Sequence, residues 1–72
     1  MVLLNAQKGN SHRIVSIDAE DALVGKLAAL GFVPGAKISV LRNSLFGSAI
    51  VSCEGAQFAL GRGLAERIQL DD

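Results

Sequence analysis

Residues 18–35 read DAEDALVGKLAALGFVPG and carry the start, body and end of a helix. Asp18 can accept a hydrogen bond from the free N–H groups of the first turn, where the acidic residues that follow also suit the helix dipole. Gly31 can take the left-handed conformation that ends a helix, and the proline three residues later prevents continuation. The stretch therefore predicts a helix over about residues 20–30. A spacing of i, i+4 and i+7 predicts one apolar stripe along the helix, formed by three leucines: Leu23, Leu27 and Leu30.

Short segments of alternating apolar and polar residues flank the helix and predict strands, because successive side chains of a strand point to opposite faces. The segment at residues 62–66 is too short for a full helix and predicts a single helical turn, and the last two residues are expected to fray. Together these elements predict a mainly β fold, a closed or nearly closed barrel with one inserted helix. The five predicted strands cover residues 12–17, 37–41, 49–54, 57–60 and 67–70.

Length and composition limit the class of protein. With 72 residues the chain makes one domain, residues 1–72, and a hydrophobic content of 50% excludes intrinsic disorder. The formal net charge is 0, so general attraction to nucleic acid or to an anionic membrane is not expected. A single cysteine, and no apolar stretch near the ~20 residues of a membrane span, indicate a cytoplasmic protein.

The sequence offers little material for catalysis or for a dedicated metal site. Its one histidine, His12, and its one cysteine, Cys53, form no metal-binding motif such as C-x-x-C. Cys53 alternates with Ala49 and Val51, which predicts a small core residue, and no cationic cluster stands near it to activate the thiol. His12 opens the first strand and is expected to be exposed and non-ligating. We therefore expect no enzyme, no catalytic residue, no cofactor and no dedicated metal site.

Four large apolar residues lie in connections between the predicted elements: Phe32 and Val33 after the helix, and Leu45 and Phe46 in the loop at residues 43–48. Alternation does not place Leu45 and Phe46 both in the core. Apolar side chains on loops often mark a surface that binds a partner. In so small a domain they equally suit plugs for the ends of the barrel, and the sequence leaves both interpretations open.

Two motifs, in this order, resemble a known family. Residues 27–38, LAALGFVPGAKI, resemble the L-x-x-L-G-hydrophobic-x-P-G-x-x-hydrophobic stretch of the ferrous iron transport protein A family, and residues 58–68, FALGRGLAERI, resemble its closing stretch. Between them, Leu45-Phe46-Gly47 followed by a strand and Gly55 is similar to the hairpin of that family. The resemblance covers about residues 10–70.

The resemblance implies an SH3-like β-barrel with an inserted helix, in agreement with the strands and helix predicted above. It also implies a small cytosolic accessory protein of a bacterial ferrous iron transport system, without enzymatic activity of its own. The implied partner is the large membrane transporter of that system, which carries a cytosolic GTP-binding domain. We expect contact through an apolar patch at the helix end and the hairpin, with two rim charges: Phe32, Val33, Leu45 and Phe46, then Arg42 and Arg62.

A different class of function stays open beside this one. A weak Fe²⁺ carrier or sensor could use His12, Cys53 and several carboxylates, whereas the net charge of 0 disfavours nucleic-acid binding. The sequence leaves open whether the chain self-associates, and whether it activates, inhibits or assembles its partner.

Overall fold

The computed structural model describes residues 1–44 and 47–72 and confirms the predicted order of strand, helix, three strands, helical turn and strand. The expected mainly β fold with one longer helix is therefore confirmed. The elements within the described residues are an N-terminal 3-10 turn (Leu3–Asn5), β1 (Ser11–Ile17), α1 (Asp21–Ala29), β2 (Lys37–Asn43), β3 (Ala49–Cys53), β4 (Ala56–Leu60), α2 (Arg62–Ala65) and β5 (Ile68–Leu70).

The strands form one antiparallel sheet in the order β4-β3-β2-β1-β5. The register shifts between Ile14 and Ser16 in β1, and again within β2, as at β-bulges. Bulges bend a strand and increase its twist, so these two sites let a short sheet curl around its apolar face. A bridge between Val2 and Gln69 extends the sheet beyond β5.

The inner face of the curled sheet holds the core. β3 alternates as predicted, with Ala49, Val51 and Cys53 all buried, and both apolar residues of β5 are buried as well. Leu3, from the N-terminal turn, is fully buried and packs on the same cluster. Because burial of one large aliphatic side chain contributes about 1.5–3 kcal/mol, this face is the main source of stability.

The end of α1 is a left-handed glycine, as predicted. Gly31 has φ +86°, its N–H donates to the carbonyl of Ala28 at 3.0 Å, and the N–H of Phe32 donates to that of Leu27 at 2.9 Å. These two bonds form a Schellman motif, which reverses the chain and brings the residue after the glycine against the last turn. Phe32 therefore points inward together with Leu27, and both side chains are buried.

The start of α1 differs from the prediction. The helix begins at Asp21 with Glu20 as its N-cap, and the Glu20 side chain makes no capping hydrogen bond. The predicted cap at Asp18 is wrong, since its N–H donates to the carbonyl of Arg67 at 2.8 Å and its carboxylate lies 3.8 Å from the Arg67 guanidinium. These contacts hold Asp18 against the turn before β5 and away from the first turn of the helix.

The apolar stripe of α1 is buried at only one of its three leucines. Leu27 is buried, but Leu23 is 37% exposed and Leu30 is 57% exposed. At about 100° per residue, Leu23 and Leu30 lie within about 20° of each other, whereas Leu27 lies about 40–60° further round the helix. The side of the helix that faces the core therefore carries Leu27 and the half-buried Val24. The Schellman turn fixes this orientation, because it places Leu27 and Phe32 in the core together.

Candidate partner-binding surface

The predicted anchor Phe32 is a core residue. Its side chain has no exposed area, and its ring meets that of Phe58 edge-on, with 5.6 Å between the centroids and 61° between the planes. Such a pair adds about 0.5–1.5 kcal/mol beyond the burial of its area. The sequence left open whether Phe32 contacts a partner or fills an end of the barrel, and the structure places it in the interior. Its assignment as a partner contact is therefore wrong.

The other predicted contact residues occupy different parts of the molecule. Val33 is half-buried in the turn after α1, where its carbonyl accepts a backbone hydrogen bond of 3.0 Å. Arg42 is exposed in β2, and Arg62 is exposed at the start of α2. Leu45 and Phe46 lie outside the residues that the structure describes. Their role at a partner surface stays a prediction.

An exposed apolar surface lies on α1. We call it the helix surface and define it by Leu23, Lys26 and Leu30, which are all exposed. At the Leu23 end of the helix surface lies a groove whose lining combines one leucine with two carboxylates and one guanidinium. Such a groove can bind an apolar side chain that has a charged residue beside it. This groove has a volume of about 370 Å³ and is lined by Asp18, Ala19, Glu20, Leu23 and Arg67.

Sequence reasoning missed this surface, although a signal for it was present. Lys26 follows Leu23 by three residues and precedes Leu30 by four, so its side chain lies beside both leucines on the helix. A lysine almost never lies inside a core without a charged partner. Its position within the leucine face indicates that this side of α1 meets solvent.

His12 is not exposed, contrary to the sequence expectation. Only 10% of its side chain is accessible, its Nδ1 lies 3.0 Å from the carbonyl oxygen of Asp71, and its Nε2 is buried without a hydrogen-bond partner in the described part of the chain. The Asp71 carboxylate accepts the N–H of Arg13 at 2.8 Å, so the predicted fraying of this end is also wrong. His12 is covered because β1 lies between β2 and β5, with His12 opposite Ile38, and these strands are distant from β1 in the sequence.

Cys53 is the core residue that the alternation predicted. It is buried, and its Sγ lies 3.7 Å from the carbonyl oxygen of Gly31. Burial raises the pKa of the Cys53 thiol above its ordinary value, and the neighbouring Glu54 carboxylate raises that pKa further. Both effects favour the neutral thiol. Over residues 1–44 and 47–72, no three side chains of His, Cys, Asp or Glu come together as a possible metal site.

The raised pKa of Cys53 makes stability depend on pH in a definite direction. The unfolded thiol has a pKa of about 8.5 and ionises first as the pH rises, which lowers the free energy of the unfolded chain. We therefore expect the free energy of unfolding to fall as the pH rises above about 8.5. Urea unfolding from about pH 7 to about pH 10, compared with a Cys53→Ala variant that lacks the thiol, measures this effect. A constant stability difference between the two proteins over that range would contradict it.

These features define the class to which the protein belongs. A curled antiparallel sheet of five strands with one inserted helix and a filled interior is the arrangement of a small SH3-like domain. Within the two described ranges, no helix is long and apolar enough to cross a membrane.

Comparison with known sequences identifies the family. The sequence profile of the FeoA domain matches residues 1–72. The Methanocaldococcus jannaschii protein classed as Fe(2+) transport protein A is 36% identical over 67 residues, which cover 93% of this chain and 80% of that relative. The chain belongs to the FeoA family. The resemblance drawn from the two motifs, residues 27–38 and 58–68, is thereby confirmed.

Solved structures agree in fold. The crystal structure of the iron uptake regulatory protein FeoA is 34% identical, with a TM-score of 0.87 over 97% of this chain and 93% of that one. The solution structure of FeoA from Chlorobium tepidum is 35% identical, with a TM-score of 0.88 over 97% of this chain and 68% of that one. FeoA from Stenotrophomonas maltophilia, solved with zinc and described as a procaryotic SH3 domain protein, is 26% identical, with a TM-score of 0.82 over 99% of this chain and 89% of that one. The expected SH3-like fold is therefore confirmed.

Proposed function

We propose that this protein is a cytoplasmic accessory of a ferrous iron transport system and that it binds the cytosolic part of the membrane iron transporter. Family membership supports the pathway, because the M. jannaschii relative is named for Fe(2+) transport and the S. maltophilia FeoA has been proposed as a ferrous iron transport activating factor. The fold supports a binding role, since a small domain with a filled interior offers its outer surface to other molecules.

The observation that carries the proposal is the helix surface. Leu23 and Leu30 lie on one side of one short helix and remain 37% and 57% exposed. Apolar side chains that share an exposed face are the usual anchors of a protein interface, with charged residues at its rim. Burial of a fully exposed leucine contributes about 1.5–3 kcal/mol. Covering the 37% and 57% that remain exposed here therefore contributes about 0.5–1.7 kcal/mol for each leucine, which is part of the free energy of binding.

The charges beside the helix surface define the chemistry of the partner. Asp18, Glu20 and Asp21 lie before and within the first turn of α1, and all three are exposed. The Arg67 guanidinium lies 3.8 Å from the Asp18 carboxylate and Lys26 belongs to the surface itself, so three negative charges there outnumber two positive charges. An apolar segment with a lysine or arginine beside it complements both the leucines and these carboxylates. We propose that such a segment belongs to the GTP-binding domain of the transporter.

The hairpin loop is proposed as a second part of the same contact. Leu45 and Phe46 follow β2, in which Arg42 is exposed, and Arg62 is exposed on α2. We assign Leu45 and Phe46 to anchoring, as predicted from the sequence. Arg42 and Arg62 belong to the rim, where charges mainly affect the rate of association and its salt dependence.

Leu23→Ser and Leu30→Ser are each expected to weaken binding to the soluble GTP-binding domain of the cognate transporter about three- to tenfold, because each removes a partly exposed apolar anchor. A titration that follows every backbone amide, with and without a GTP analogue, measures the affinity and locates the surface. We expect saturable shifts on α1 and on the turn that follows it. Both leucines are exposed, so far-UV circular dichroism of the variants is expected to match the wild type.

Val15→Ser is the matched control, since Val15 is 56% exposed, about as much as Leu30, and lies in β1, outside the helix surface and the hairpin loop. We expect this variant to bind as the wild type does. Loss of binding in Val15→Ser with full binding in Leu23→Ser would overturn the helix surface, and no binding by the wild type in either nucleotide state would overturn the partner. The alternative function, a weak Fe²⁺ carrier or sensor, is tested by titrating the protein with Fe²⁺ alone. That alternative predicts saturable shifts of the backbone amides around His12.

A further inference from the structure

The spacing of the two leucines on the helix surface selects the kind of element that a partner presents to it. Leu23 and Leu30 are seven residues apart, which separates them by about 10.5 Å along the axis of α1. Side chains on one face of a strand repeat every ~6.7 Å, so an extended segment matches only one of the two leucines closely. Side chains seven residues apart on a second helix match both. The surface therefore fits a helix that lies along α1.

The charges along the helix surface differ between its middle and its Leu23 end. Lys26 lies between the two leucines and is exposed, and among the described residues its ammonium forms no ion pair. At the Leu23 end, Asp18, Glu20 and Asp21 are exposed. A partner that complements the whole surface therefore carries an acidic residue between its two apolar residues, and a basic residue beyond the one that covers Leu23.

A second copy of this chain does not match these charges. Antiparallel pairing that sets Leu23 of one copy against Leu30 of the other brings the two Lys26 ammonium groups together, because Lys26 lies near the midpoint of the two leucines. Parallel pairing sets the carboxylates of one copy against the same carboxylates of the other. Like charges that are placed together disfavour association in both directions. The charges therefore favour a helix of a different protein.

The order of the charges also selects the direction of the partner helix. Acidic residues stabilise the N-terminal turn of a helix and basic residues its C-terminal turn, because of the helix dipole. The partner helix therefore begins over Leu30 and ends over Glu20, antiparallel to α1. In this direction the partial charges of opposite sign at the helix ends also meet.

We propose that the helix surface binds an amphipathic helix of a partner protein, antiparallel to α1. In this helix an acidic residue separates two apolar residues seven positions apart, and a basic residue follows the second. The acidic residue pairs with Lys26, and the basic residue faces the carboxylates at the start of α1. The identity of the partner, the GTP-binding domain of the transporter, rests on the function proposed above.

Two synthetic peptides of the same composition test the order of the charges. The forward peptide is an alanine-based helix with two leucines seven residues apart, a glutamate three residues after the first and an arginine four residues after the second. The other peptide has the reversed sequence. We expect the forward peptide to produce saturable shifts of the backbone amides of α1, and the reversed peptide to bind at least about threefold more weakly. Far-UV circular dichroism of each peptide corrects the comparison for helix content.

Charge exchange at Lys26 tests the acidic contact. Lys26→Glu is expected to weaken binding of the forward peptide at least about threefold, and a forward peptide with lysine in place of its glutamate is expected to restore binding, because the pair is then exchanged rather than lost. Lys8→Glu is the matched control, since Lys8 is exposed in the turn before β1, and it is expected to bind as the wild type does. Far-UV circular dichroism verifies that both variants are folded.

The proposal is overturned if the forward peptide produces no saturable shifts on α1, if the reversed peptide binds equally well, or if Lys26→Glu and Lys8→Glu bind alike. Dimerisation of the wild type through α1 would also overturn it. Titration with the GTP-binding domain separates this proposal from the proposed function. If the domain binds and the forward peptide does not, the helix partner is wrong and the accessory function stands. If the forward peptide binds and the domain does not, the transporter is wrong and the helix contact stands.

Discussion

Phe32→Ala is expected to lower the free energy of unfolding by about 3–5 kcal/mol, the loss typical of an emptied aromatic site in a core. Phe32 is fully buried and meets Phe58 edge-on at 5.6 Å. A domain of this length is stable by about 4–11 kcal/mol in total, so this loss removes a large part of its stability and unfolds the variant at room temperature if the wild type lies at the low end of that range. Urea unfolding followed by far-UV circular dichroism measures the loss, since the chain has no Trp or Tyr to report by fluorescence.

Phe32→Leu is the control for this substitution, because it keeps most of the volume and the apolar character of the site. We expect it to lose less than about 1.5 kcal/mol. If Phe32→Ala lost less than about 1 kcal/mol, the side chain would not fill the core, and the surface role predicted from the sequence would have to be reconsidered.

Asn43→Asp is expected to lower the free energy of unfolding by about 2–3 kcal/mol and to release the N-terminal turn. The Asn43 Nδ2 donates to the carbonyl oxygens of Leu3, Leu4 and Ala6 at 3.1, 3.1 and 2.7 Å. A carboxylate has no N–H to donate, so the exchange sets negative oxygens against three carbonyls and leaves these half-buried groups without a donor. Leu3 is held in the core by this clamp, and hydrogen exchange of the amides in the first six residues measures its loss.

Asn10→Asp provides the comparison, since it makes the same chemical change at an exposed turn residue. Surface substitutions of this kind usually change stability by less than about 0.5 kcal/mol. Equal losses in the two variants would show that the effect belongs to the added charge, and the clamp from Asn43 to the N-terminal turn would then contribute nothing.

Local signals in the sequence were enough for the order and ends of most elements. The glycine after the helix predicted a left-handed residue, and Gly31 has φ +86°. Alternation predicted the buried face of β3, including Cys53, because a strand can bury only one face against a one-sided core. Such signals involve residues close in sequence, and their outcome depends little on the rest of the fold.

The candidate site was harder to predict, because exposure depends on what packs against a residue. Leu23 and Leu30 fit an apolar helix face equally well whether that face is buried or open. Phe32, in a connection, could face a partner or the core, and the Schellman turn places it inside. His12 lies at the start of a strand that the sequence predicts to be at an edge of the sheet. In the structure β5 pairs with the far side of this strand, and only 10% of the His12 side chain is accessible.

The sequence by itself determined the alternation of the strands, the helix and its glycine end, and the motifs that mark the FeoA family. Each of these depends on spacing along the chain. Only the tertiary structure decided which side of the helix is exposed, that β4 lies at one end of the sheet, and that Asn43 holds the N-terminal turn. These features depend on contacts between residues that are distant in the sequence. The spacing of apolar residues along a helix does not show which part of its apolar face packs on the core.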